Sequence, residues 1–221
     1  MLKLEALINH QEPALPLLRE WSDDPSGNGG TLLPRSEIIS ADTLQRLQVT
    51  TRSMLGTVVY ETGGVSIANG LIRLLGSGEG RSLQKTHEKL GLPLDGSYPD
   101  VLMVADDILG GLFALNGGRF GPDGQGQVFW LAADDIVWIP LNVGYADFVS
   151  WCLTGDLKRL YEPFSQLKPY GMQPRPSFDA VYSFYPFLWT KEAKSAQPDI
   201  RVIDAEDSLR LRLDLCGFAT N

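Results

Sequence analysis

Cysteine is scarce. The chain of 221 residues has two, Cys152 and Cys216, and neither has a cysteine or histidine nearby at metal-ligand spacing. A disulfide framework and a cysteine-type zinc site are therefore excluded. Histidine is equally scarce, and His10 and His87 fall in a helical beginning and a polar excursion, poor places from which to build a triad or a metal site. No run of about 18 apolar residues occurs. The start, Met1-Leu2-Lys3-Leu4-Glu5, carries charge and is followed by Pro13 where a signal peptide needs an apolar stretch. The expectation is a protein without a membrane partner and with the cytoplasm as its default location.

Positive charge is also in short supply. Nineteen Lys and Arg stand against 27 Asp and Glu, a formal charge of −8, and such a field repels phosphate backbones unless a local basic patch overrides it. Arg46, Arg52, Arg73, Arg81, Lys85 and Lys89 are scattered singly, without interleaved aromatics, so nucleic acid is not an expected partner. By contrast, apolar residues at 43% and charged residues at 21% are ordinary for a globular protein and suffice for a core that offsets chain entropy. The length suits one large domain, residues 1–221.

The reading along the chain is α+β. Leu4, Leu7 and Ile8 recur at helical spacing, and Pro13 suits the first turn of a second helix bearing Leu17, Leu18 and Trp21. A third helix starts near 34–36 and presents Ile38, Ala41, Leu44 and Leu47 as its apolar face. Thr57-Val58-Val59-Tyr60 reads as the first strand. Residues 65–68 and 71–75 then flank Asn69-Gly70, the type I′ hairpin signal. Residues 76–98 form a polar surface excursion with a short helix at 83–90. Strands return at 101–105, 111–115, 127–131 and 136–140. A helix at 145–153 closes at Gly155, and a short one spans 156–164. The proline-rich stretch 166–177 is an extended path, because Pro169, Pro174 and Pro176 oppose regular structure. Leu209, Leu211, Leu213 and Leu215 alternate as in a strand, whereas 203–207 also suits a helix start, and both assignments stay open. The architecture is an antiparallel β-meander sheet covered by N-terminal and C-terminal helices.

Few motifs carry chemistry. Gly76-Ser77-Gly78-Glu79-Gly80 follows a strand, but it lacks the Lys-Ser/Thr of a phosphate loop, and Glu79 would repel phosphate; a plain loop explains it. The adjacent acids Asp23-Asp24, Asp106-Asp107 and Asp134-Asp135 suggest a hard cation or acid-base work. Neighbours on a strand point to opposite faces, however, and turn capping accounts for them more simply. Asp123-Gly124-Gln125-Gly126-Gln127 lacks the acids of a calcium loop. No G-x-S-x-G elbow is present. The aromatic cluster Tyr182-Ser183-Phe184-Tyr185-Pro186-Phe187-Leu188-Trp189 reads first as a seal over the core and second as a binding surface. No catalytic residue, cofactor or metal site is assigned. Asp106, Asp107, Asn116 and Arg119, at the turns of one end of the meander, form the candidate ligand or partner site.

The run Glu61-Thr62-Gly63-Gly64, Asn69 to Gly76, Ala105 to Gly118, Gln127-Val128-Phe129-Trp130 and Tyr145 to Trp151 resembles a bacterial family known only as a domain of unknown function. A more distant resemblance, over 44–153, is to the SUKH superfamily, with Gly63-Gly64, Gly110-Gly111 and Asp147-Phe148 in the places of its glycine-marked strand pair and closing helix. On that division the helical part is 1–48 and a C-terminal extension is 165–221. The resemblance implies a non-enzymatic protein-binding module, often an immunity protein that neutralises a toxin, and an acidic surface suits a basic partner. The competing expectation is a small-ligand binder or an enzyme, with a pocket beside Asp106 or Asn116.

Overall fold

Seven strands pair antiparallel in simple chain order in the computed structural model, which describes residues 1–92, 94–167, 175–194 and 197–218. They are β1 (Gly30–Leu33), β2 (Gly64–Ile67), β3 (Ile72–Leu75), β4 (Val101–Asp107), β5 (Leu112–Asn116), β6 (Gln127–Leu131) and β7 (Ile139–Gly144). The helices are α1 (Leu4–Leu7), α2 (Leu15–Asp23), α3 (Glu37–Leu47), α4 (Met54–Glu61), α5 (Leu83–Lys89), α6 (Tyr145–Thr154), α7 (Leu157–Tyr161) and α8 (Ala205–Leu215). A separate hairpin joins β8 (Ala180–Tyr185) to β9 (Asp199–Asp204). Among the described residues, no helix is long and apolar enough to cross a membrane.

Both faces of the meander are covered. One buries Ile67, Ile72, Leu74, Phe113 and Trp130 with Val58 of α4 and Phe148 and Cys152 of α6. The other packs Val101, Met103, Leu112, Ala114 and Leu131 against Leu209 and Leu213 of α8 and Phe218. Every residue of β3, β4 and β5 is therefore buried, which is why these strands read as continuous apolar runs and not as alternating ones. Cys152 is a buried free thiol whose pKa burial raises well above the ordinary value, because it sits in the apolar core.

Several local expectations are corrected. Residues 57–60 are not a strand: they lie in α4, where the Ser53 hydroxyl accepts from Gly56 N at 3.0 Å as an N-cap. That cap outweighs the β-preference of Thr57, Val58 and Val59. β1 starts at Gly30, the last residue of the glycine-rich run Gly27-Asn28-Gly29-Gly30, and is not among the expected strands. Pro16, and not Pro13, sits in the first turn of α2. On α3, Ile38 is 84% exposed, while Ser40, Thr43, Leu44 and Leu47 are buried. At 3.6 residues per turn, steps of three carry Ile38 about 180° away from Leu47, so those four positions cannot share a face.

The β2–β3 connection is a four-residue loop between the paired Ile67 and Ile72, with Ala68, Asn69 and Gly70 all at positive φ, and not a two-residue turn. The surface excursion read at 76–98 holds only for its second half, where Glu88, Lys89, Gly91, Asp95, Ser97 and Tyr98 are exposed; the first half packs inward. Ser77, Arg81, Ser82, Leu83, Thr86 and His87 are buried, because β3 stops at Leu75 and α5 packs beside the start of β4, where His87 Nε2 accepts from Met103 N at 2.9 Å. The last strand of the sheet begins at Ile139, not at 136. Of the proline-rich stretch, residues 168–174 lie outside the described residues.

The alternating leucines resolve into a helix. In α8, Leu209 and Leu213 are buried while Leu211 and Leu215 are exposed, two i,i+4 pairs on different faces. Asp204 ends β9 and starts the helix by accepting from Glu206 N at 2.8 Å and Asp207 N at 3.1 Å. Substituting Asp204→Ala should lower stability by about 1 kcal/mol, measurable as an earlier urea midpoint with an unchanged slope.

Candidate functional site

The four candidate residues do not converge. Asp106 and Asp107 end β4, whereas Asn116 pairs with Val101 at the other end of the β4–β5 hairpin, roughly 20 Å away along the strand. Asn116 is fully buried: its Oδ1 accepts from Gly118 N at 2.9 Å and Phe120 N at 3.1 Å, and its Nδ2 donates to Gly121 O. Arg119 is 34% exposed, 3.2 Å from Asp100 and 4.8 Å above the Phe218 ring. Asn116 therefore organises a glycine loop, and Arg119 pins it from outside.

Asp106 and Asp107 face opposite sides of the sheet, as their adjacency on a strand requires. Asp106 lies across from Arg73 on β3 and accepts a bidentate pair, Nε to Oδ1 at 2.9 Å and Nη2 to Oδ2 at 2.8 Å. Arg81 Nη2 approaches the same Oδ2 at 2.9 Å as a charge contact without hydrogen-bond alignment. All three side chains are at most 2% exposed. Burial lowers the pKa of Arg73, Asp106 opposes that shift, and the neighbouring Arg81 adds to it. Two guanidiniums thus share one carboxylate, and their other N–H groups hold the segment before β8: Arg73 Nη1 donates to Ser177 O and Ala180 O, and Arg81 Nη1 to Phe178 O. Turn capping is not the role of Asp106.

Turn capping is the role of Asp107. Its Oδ1 accepts from Leu109 N and Gly111 N, both at 2.9 Å, and its Oδ2 accepts from the Tyr161 hydroxyl at 3.0 Å. Gly110 has φ of +93°, and a Cβ on Gly111 would stand 2.2 Å from Asp107 Oδ2, so both glycines are required by this turn. Burial outweighs the hydrogen bonds and pushes the Asp107 carboxyl up to about 6. His10 is exposed, while His87 is buried and driven down to about 4 by desolvation. In the glycine loop, a Cβ on Gly76 would meet Gly64 N at 2.5 Å and one on Gly78 would meet Gly63 O at 2.9 Å. These glycines serve close backbone packing.

Two features lay outside the sequence reading. The first is Arg212 on α8, 3% exposed, whose Nη2 donates to Ala132 O and Asp135 O, both at 2.6 Å. Its guanidinium lies 4.4 Å above the Trp189 ring, which stacks on Phe187 at 4.6 Å. Its Nε and Nη1 have no partner among the described residues. Arg212 lines a narrow cleft, with about 20 Å³ of closed space, shared with Tyr182, Phe184, Phe187, Trp189 and Leu211. The aromatic cluster is thus both a seal and a wall: Tyr182 and Phe184 are buried, and Tyr185 is 72% exposed. The visible signal was that cluster. Its arginine came from a segment whose leucine alternation masked a helix.

The second feature is an exposed apolar strip. Ile136, Val137 and Ile139 are 45%, 60% and 43% exposed and run into the outer edge of β7. Asp135 Oδ1 accepts from Ile136 N and Val137 N and so sets the turn that presents them. The Cys216 thiol donates to Ile136 O and so seats the end of α8, where Leu215 is 47% exposed, against this turn. Asp134 and Asp135, just before the strip, and Asp214, just before Leu215, are exposed. Among the described residues, no group of three or more His, Cys, Asp or Glu side chains is placed to hold a metal ion.

Comparison with known proteins gives a family without a chemistry. Residues 4–207 match the family model described as "Protein of unknown function DUF2625". An uncharacterised protein of Escherichia coli strain K12, YbfG, is 35% identical over 195 residues, covering 88% of this chain and 89% of that protein. An uncharacterised protein of Haemophilus influenzae is 34% identical over 165 residues, covering 73% of this chain and 72% of its own length. With a family model spanning nearly the whole sequence and two bacterial relatives at this identity, the chain belongs to the DUF2625 family.

Proposed function

We propose that this protein is a protein-interaction module that docks a partner through the strip formed by Ile136, Val137, Ile139 and Leu215. The observation that carries this reading is the run of exposed apolar side chains at Ile136, Val137 and Ile139, preceded directly by the exposed Asp134 and Asp135 and tied through Cys216 to the end of α8, where Leu215 is exposed. Singly exposed apolar residues need no explanation, but a contiguous set rimmed by one sign of charge has the character of a binding surface. In a chain of net charge −8, the complementary partner presents apolar side chains flanked by Lys or Arg, and its approach is accelerated by the field.

The mode of docking follows from β7. Pro140 has no N–H to donate, and Asn142 is left-handed at φ of 59°, so the outer edge is a poor template for an added strand. The partner therefore engages side chains and not the backbone ladder. Asp106, Asp107 and Asn116 are consumed by the interior, which moves the proposed surface from the meander turns to the β7 side. The resemblance to the SUKH superfamily supports the same class of function, with a basic toxin as the kind of partner and immunity as the role.

The test is capture from the native host on the immobilised wild-type chain and on Val137→Glu/Ile139→Glu, each at low and moderate salt. A defined partner held at least tenfold more weakly by the variant, and released as salt rises, is the expected result. Equal retention by both forms, or concentration-dependent self-association of the wild type that the variant abolishes, overturns the reading.

A further inference from the structure

We propose that the cleft beside α8 binds a small monocarboxylate, its head on the Arg212 guanidinium and its apolar body against Phe187 and Leu211. Three observations converge on this site. First, Arg212 is a buried cation without an ion pair among the described residues. Arg73 and Arg81, the comparably buried arginines, share Asp106, whereas Arg212 has only two backbone carbonyls on a single nitrogen. A buried charge left without a counter-charge is costly, and buried unpaired donors are rare enough to require a cause.

Second, the cation is held and not merely trapped. The column Arg212, Trp189, Phe187 fixes the guanidinium plane, with separations of 4.4 Å and 4.6 Å, and Nη2 is anchored on the loop carrying Ala132 and Asp135. A pre-ordered guanidinium pays little entropy on meeting a carboxylate, which makes it a strong, directional anion receptor. Third, the walls are apolar and the closed space is small, about 20 Å³, room for about one water. One carboxylate oxygen takes the place of that water, and the rest of the ligand lies at the mouth beside Leu211, which is 39% exposed.

The charge surroundings select the ligand class. Asp107, Asp134 and Asp135 act on Arg212 at longer range, and they repel a dianion more than a monoanion. A phosphate monoester is thereby disfavoured against a carboxylate with an aliphatic or aromatic body. This site is independent of the β7 strip, since neither Val137 nor Ile139 lines the cleft.

Isothermal titration of the intact chain with sodium benzoate, sodium acetate and sodium phosphate, each against sodium chloride at equal ionic strength, tests the assignment. Saturable binding of benzoate, weaker binding of acetate and none of phosphate is expected. Arg212→Gln should weaken benzoate at least tenfold. Leu211→Trp, which closes the mouth from an exposed position, should do the same without touching the buried cation, and it carries the test if Arg212→Gln does not fold. No saturable binding to the wild type, preference for phosphate, or equal binding by wild type and Leu211→Trp overturns the proposal and leaves a cleft filled by solvent.

Discussion

Replacing Asp106 by alanine will lower the stability of this protein by about 3–5 kcal/mol, the range expected when one partner of a buried ion pair is removed. The change leaves Arg73 and Arg81 facing each other across the space their shared carboxylate occupied, both nearly inaccessible to water. It also frees the bidentate edge of Arg73 while its Nη1 stays committed to Ser177 O and Ala180 O. For a chain of this length the loss amounts to about 10 °C in Tm. Charge imbalance, and not lost volume, is the cause. The combined replacement Asp106→Leu/Arg73→Met/Arg81→Met, which removes all three charges together, should therefore recover a large part of the loss. Thermal and urea denaturation of both variants provide the check. An Asp106→Ala protein within about 1 kcal/mol of wild type would show that the cluster is hydrated and the argument mistaken.

The same cluster shows what a sequence of this kind discloses. Strand β6 was read at 127–131, its observed limits, because Gln127-Val128-Phe129-Trp130-Leu131 is a short apolar run between glycine turns. Helix α6 was equally plain, with Phe148, Val149 and Cys152 on one face and Gly155 at its end. Arg73 and Asp106 stand 33 residues apart, and their pairing depends on the register of β3 against β4. β3 and β4 are joined through the long connection 76–100, which packs back against Gly63 and Gly64 and for which local periodicity has no signature. Paired acids were visible, but their partners were not. Asp106 and Asp107 look alike in sequence, yet one neutralises two arginines on one face and the other closes a turn on the opposite face. The Arg212 cleft is harder still, because it is assembled from the β4–β5 turn, the residue Ala133 beyond β6, the aromatic cluster in and after β8, and a helix whose leucines suit a strand equally well. Buried arginine is the recurring omission: Arg73 and Arg81 look like singly scattered charges in the sequence, Arg212 carries no signal there at all, and all three are buried.

The largest pH effect comes from two buried groups that titrate in opposite senses, and Asp107→Asn should expose it. The Asp107 carboxyl is raised from 3.8 to about 6 by burial, so the stability it contributes is fully present below its ordinary value and lost as pH rises through 6. That displacement of about two units corresponds to about 3 kcal/mol. His87 is lowered from 6.5 to about 4 by burial, so its contribution is present above 6.5 and lost as pH falls through 4, again by about 3 kcal/mol. Between about pH 4 and 6 the two slopes nearly cancel in the wild type. Asparagine at 107 retains an acceptor for Leu109 N and Gly111 N, turns the contact with Tyr161 round so that its NH2 donates to the hydroxyl oxygen, and cannot ionise, which removes the Asp107 limb. Relative to wild type, Asp107→Asn should therefore be near neutral at pH 4 and stabilising by up to about 3 kcal/mol at pH 7. Its own stability should fall as pH drops from 7 to 4, because the uncompensated His87 limb remains. Other surface carboxylates titrate equally in both proteins and drop out of the difference. Urea unfolding of the two proteins at pH 4, 5, 6 and 7 measures it, and a difference that stays constant with pH would mean that the Asp107 carboxyl titrates in the folded protein as it does in water.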